Sequence, residues 1–79
     1  MRLDKFLKVS RLIKRRTLAK EVVSAGRVTL NGRVAKPGSE VKPGDILEIG
    51  FGTRQIKVEI LEVRENVRTE EVKDLYRII

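Results

Sequence analysis

Arg2, Lys5, Lys8 and Arg11 recur every third residue at the start of the chain, and Arg15, Arg16 and Lys20 follow within three turns of helix. Cations at this spacing project from the first helix and its end, then from the start of a second. There, free backbone N–H groups and the helix dipole also favour anions. Arg33 follows the next turn in the chain. The chemistry this pattern suits is the gripping of phosphates on a folded RNA by shape, which needs no base-reading code. Asp4 is one of two acids among the first 36 residues. Its spacing allows an i,i+4 pair with Lys8, or a role as orienting acid that holds Arg2 or Arg16 towards phosphate.

Bond-making chemistry has little to work with. Cysteine and histidine are both absent, so thiolate metal sites, disulfides and the usual general base are missing. Asp4 has no second acid, ligand set or nucleophile beside it in the sequence. A non-enzymatic protein without metal or cofactor is expected.

Charge is distributed unevenly. Residues 1–36 hold 11 Lys/Arg against 2 Asp/Glu, and residues 37–79 hold 7 against 9. Such asymmetry points to a polyanion docking on one end of the molecule. Stacking on single strands would need aromatic platforms. The aromatics are Phe6, Phe51 and Tyr76; the first and last lie on apolar stripes, which leaves Phe51 as the one free candidate. DNA is not expected, because Lys20, Glu21 and Ser24 make a poor reading face for a recognition helix. Membrane binding is not expected either: no apolar run approaches a span of about 20 residues, and the apolar side of the first helix is needed for the core. A cytoplasmic protein follows by default.

The elements that must position these cations can be read from periodicity. Leu3, Phe6 and Leu7 predict an amphipathic first helix; Val9, Leu12 and Ile13 continue its stripe or fill the following turn. Thr17 is a candidate N-cap for a second helix whose buried stripe is Leu18, Ala19, Val22 and Val23, with Gly26 as a left-handed C-terminal cap. Arg27 to Leu30 alternates as a strand, and Asn31-Gly32 predicts a tight hairpin turn returning through Arg33-Val34-Ala35. Lys36-Pro37-Gly38 and Lys42-Pro43-Gly44-Asp45 read as turns. Ile46 to Ile49 and Arg54 to Val63 read as strands, separated by a loop over Gly50 to Thr53. Val72, Leu75, Tyr76 and Ile79 fall at helical spacing after Thr69, which predicts a short C-terminal helix. The expected fold is a small α+β domain over residues 1–79: two N-terminal helices packed on a small, mostly antiparallel sheet, then the short helix. Residues 1–49 would be the motif core, and 50–79 a supporting strand and tail.

The run RLDKFLKVSRLIKRRTLAKEVVSAGRVTLNGRVAKPGSEVKPGDIL resembles the S-four (alpha-L type) RNA-binding domain. The RLDKFL opening, the RRTLAKEVVSAG helix, the VTLNG turn and the late PGD are its signature elements. Among stand-alone versions, the acidic tail is closer to the RqcP group of bacterial ribosome quality control than to the related ribosome-associated heat-shock group of about fifteen kilodaltons, which has a basic extension. The resemblance implies binding to ribosomal RNA of the large subunit and to peptidyl-tRNA. It also implies a partnership with an RqcH-like tailing factor that adds alanine to stalled nascent chains. On its motif the matching positions are Arg2, Asp4 and Lys5, then Arg15, Arg16 and Lys20; Arg11 and Arg33 fall on the same expected face.

Overall fold

The computed structural model describes residues 1–79. Helix α1 spans Leu3–Val9 and α2 spans Arg16–Ser24. Five strands follow: β1 Val28–Leu30, β2 Arg33–Val34, β3 Ile46–Phe51, β4 Arg54–Ile60 and β5 Tyr76–Ile78. All pair antiparallel in the order β2-β1-β3-β4-β5. The architecture is the expected α+β one, two helices on a small sheet, and no helix is long and apolar enough to cross a membrane.

Leu3, Phe6 and Leu7 of α1 and Ala19 and Val23 of α2 are buried against Val28, Leu47, Ile49, Val58 and Ile60 of the sheet. These strand residues share one face because side chains alternate along each strand. Their register partners carry the pattern across it, as in Leu30↔Leu47↔Val58. Ile13 fills the turn after α1 and is buried, whereas Val9 and Leu12 are only half-buried.

Two turn signals behave as expected. Asn31 and Gly32 have φ of 52° and 85°, the left-handed pair that a tight hairpin requires. Asn31 does more than turn the chain: its amide donates to Asp45 at 3.1 Å and its side-chain oxygen accepts from the Ile46 N–H at 2.9 Å. The Asn-Gly and Pro-Gly-Asp signatures therefore fasten the β1–β2 hairpin to the start of β3. Gly26 has φ 77° and its N–H reaches the Val23 carbonyl, closing α2.

Three expectations are corrected. Arg15, with extended backbone, takes the N-cap position of α2 and makes no side-chain cap; Thr17 lies within the helix. Leu18 is 45% exposed, because the α2 face that meets α1 and the sheet is centred on Ala19 and Val23, and Leu18 points about 100° away from Ala19. Leu18→Ala is accordingly expected to cost less than about 1 kcal/mol, as exposed substitutions do, and urea unfolding beside the wild type measures this. The predicted C-terminal helix is a 3-10 turn over Thr69–Asp74 followed by strand β5. Leu75 closes the core, and Tyr76–Ile78 pairs with the free edge of β4 in the register Ile60↔Tyr76. Backbone pairing across 16 residues (here Ile60 to Tyr76) outweighs the local helical spacing.

Candidate nucleic-acid interface

The entry into α1 is knitted to the segment before β3. The Leu3 N–H donates to the Ser39 carbonyl at 2.8 Å, Asp4 N–H to Pro37 at 3.1 Å, and Val41 N–H to Met1 at 2.9 Å. Arg2 bridges Glu40 in the same antiparallel sense. These bonds place Arg2 in extended backbone immediately before the helix, with its guanidinium passing over Gly38. An added Cβ there would lie 3.7 Å from it.

Asp4 is wholly buried and is the hub of the site. Its carboxylate accepts from Arg2 Nε at 3.2 Å and Nη2 at 3.3 Å, and from the Lys5 backbone N–H at 2.8 Å. Arg16 Nη2 lies 3.5 Å away at the first turn of α2. Two helices are thus joined through one acid. The Arg2 and Arg16 side chains remain 53% and 43% exposed, so each guanidinium has donors left for an external phosphate, a geometry arginine suits better than lysine.

Asp4 pairs with Arg2 and Arg16 and not with Lys8. Lys8 is exposed and forms no ion pair. Burial pushes the Asp4 carboxyl up, but the Arg2 hydrogen bond, the Lys5 N–H and the charges of Arg16 and Arg2 together hold it below its ordinary value of 3.8. Because the folded value is depressed, this interaction stabilises the protein above pH 3.8 and is lost as pH falls through the folded value. Asp4→Asn should therefore flatten the acid limb of a urea-midpoint profile, in which the wild type loses stability more steeply.

The remaining candidates divide into three groups. Lys20 is exposed one turn beyond Arg16 on the same flank of α2. Lys5, Lys8 and Arg11 run along α1 towards the tail. Lys5 pairs with Glu65 there, which holds that exposed carboxyl below its usual range. Arg11, at φ 61°, donates to Thr69 Oγ1 at 3.1 Å. Arg15 lies apart, lining a shallow hollow with Lys14, Thr17, Leu18 and Glu21. Arg33 is exposed on β2 and has no hydrogen bond or ion pair to the Asp4 cluster. Glu65 and Thr69 were not foreseen as neighbours of the basic helix, and no local pattern could have revealed them at separations of 60 and 58 residues. Phe51 is half-buried against the core and lines a surface groove with its remaining exposed side.

Comparison with known proteins adds independent weight. A family model described as the S4 domain matches residues 1–47. An RQC P-site tRNA stabilizing factor of Halalkalibacterium halodurans is 64% identical over 78 residues, covering 99% of this chain and 89% of that protein. The Bacillus subtilis protein of the same name is 54% identical over 79 residues, covering 100% and 92%. Among solved structures, heat shock protein 15 of Vibrio cholerae superposes with a TM-score of 0.92 at 34% identity, over 100% of this chain and 81% of that one. The motif, the near full-length identity and the superposition agree: this chain belongs to the S4 domain family, in the group of the RQC P-site tRNA stabilizing factors.

Proposed function

We propose that this protein is a non-catalytic RNA-binding factor of ribosome quality control. It binds the large ribosomal subunit across ribosomal RNA and peptidyl-tRNA and so supports alanine tailing of stalled chains by an RqcH-like factor. The observation that carries this reading is the buried Asp4 clamp, which aims two half-exposed guanidinium groups outward within a chain 64% identical to a named P-site tRNA stabilizing factor. Arg2, Arg16 and Lys20 form the centre of the proposed RNA contact. Lys5, Lys8 and Arg11 extend it along α1, and Arg15 and Arg33 are outlying contacts. The superposition on heat shock protein 15 favours a second reading, a heat-shock-type factor that recycles large subunits; both readings use the same surface.

Sedimentation through sucrose gradients of a cell lysate tests the proposal. The protein should co-migrate with free large subunits, and an Arg2→Ala/Arg16→Ala variant should remain at the top. Wild-type protein left at the top at low salt would make the ribosome the wrong partner. If about five phosphates are contacted, affinity should fall roughly 500-fold between about 50 and 200 mM salt, and the double variant should show a shallower dependence. Alanine tails on a stalled reporter, lost in a deletion strain and restored by wild type but not by the variant, separate the tailing role from recycling.

A further inference from the structure

Helix α2 has a second exposed flank, away from Arg2, Arg16 and Lys20, that shares only the outlying Arg15 with the proposed RNA contact. Leu18 points about 200° around the helix from Arg16, and with Leu12, Val22 and Phe51 it floors an open groove of about 440 Å³ between α2 and the β3–β4 hairpin. Two adjoining hollows also touch Leu18 and extend the groove along the helix. The backbone N–H of Gly50 donates to the Arg27 carbonyl at 2.8 Å, which fixes the far wall. The rim is basic. Lys14, Arg15 and Arg27 border the groove, none has an ion-pair partner, and Glu21 is the sole acid lining it.

We propose that this groove docks an acidic amphipathic helix of a protein partner. Apolar residues at i, i+3 and i+4 of that helix would seat on Leu18, Val22 and Phe51, while flanking carboxylates meet Lys14 and Arg27. Helix-in-groove recognition has this form: an apolar strip supplies the buried contact and rim charges set partner and orientation. An RNA occupant fits less well. A phosphate backbone is polar throughout and would leave the apolar floor of Leu12, Leu18, Val22 and Phe51 uncovered, whereas an apolar helix face buries it. A second copy of the chain would bring one basic rim against another. The docking surface and the Asp4 clamp lie on opposite flanks of one helix, so both can be occupied together, and this surface stands without the RNA reading.

Photo-cross-linking tests the proposal on the full chain. Leu18→benzoylphenylalanine is expressed in cells of the native host, the cells are irradiated, and the cross-linked peptide is sequenced. The expected product is a segment of another protein in which apolar residues recur at helical spacing among Asp and Glu. Adding Lys14→Glu and Arg27→Glu should reduce its yield by about ten-fold. Lys14→Ala/Arg27→Ala should reduce it by about three-fold with an unchanged melting temperature, which controls for misfolding. Adducts with RNA, adducts with another copy of this chain, no protein adduct, or a yield indifferent to the rim charges would each overturn the proposal. Leu18→Ser should leave RNA affinity within about two-fold, so failure of this docking and failure of the RNA contact are read separately.

Discussion

Asp4→Ala is expected to lower folding stability by about 2–3 kcal/mol and to weaken RNA binding at the same time. The carboxylate is wholly buried and accepts three hydrogen bonds, two of them from the Arg2 guanidinium. Hydrogen bonds to charged groups contribute about 1.5–3 kcal/mol, and removing one member of a buried pair costs about 3–5 kcal/mol when the other charge stays buried. Here Arg2 and Arg16 are half-exposed and regain water, which keeps the loss near the lower figure. The functional effect comes from orientation: without the acid the two guanidinium groups repel and no longer share one direction. Urea unfolding measures the first effect, and filter binding to large-subunit RNA measures the second. Arg2→Ala is the informative contrast, since it removes one proposed phosphate contact while leaving Asp4 paired to Arg16. A variant Asp4→Ala with wild-type RNA affinity would remove the orienting role altogether.

Phe6→Ala should have the largest effect on the fold. Phe6 is fully buried at the centre of α1, among Leu3, Leu7 and the inner face of the sheet. Truncating a core phenylalanine costs about 3–5 kcal/mol, the sum of lost transfer free energy and the cavity left behind. A chain of this length has a total of only about 4–12 kcal/mol, so this one change removes a large part of it. The expected result is a markedly lower urea midpoint and loss of cooperative melting by circular dichroism near physiological temperature. Phe6→Leu, which keeps most of the volume, should recover much of the stability. A Phe6→Ala midpoint equal to wild type would mean that α1 does not pack on the sheet through this side chain.

What could be read from the sequence was what local rules determine. Asn31-Gly32 and Gly26 announce left-handed backbone, and each is found there. The α1 stripe of Leu3, Phe6 and Leu7 is buried as its spacing predicts. Leu18 shows where local rules stop. Periodicity can show that a helix has an apolar side, but the width of that side actually covered depends on how closely α1 and the sheet approach, and here it ends at Ala19 and Val23. The tail shows the same limit. Val72, Leu75 and Tyr76 fit a helix as well as they fit a 3-10 turn running into a strand, and the unpaired edge of β4 decides between them. At the candidate site, the basic residues were legible as a list and not as a constellation. That Asp4 unites Arg2 with Arg16, while Lys5 and Arg11 turn to the tail, depends on chain segments brought together from far apart in sequence.

Translation delivers Arg2, Asp4 and Arg16 first, yet the backbone partners of Leu3 and Asp4 are Ser39 and Pro37, and the core beneath α1 closes with Leu75. Non-local contacts of this kind cannot form until the later segment exists. A nascent copy therefore displays scattered cations with only the weak, sequence-independent attraction that loose charges have for polyanions. The aimed pair of guanidinium groups is assembled only after Ser39 has been made, and it gains its rigid support after Leu75. Any RNA contact that depends on this pair would therefore be missing from a half-made copy.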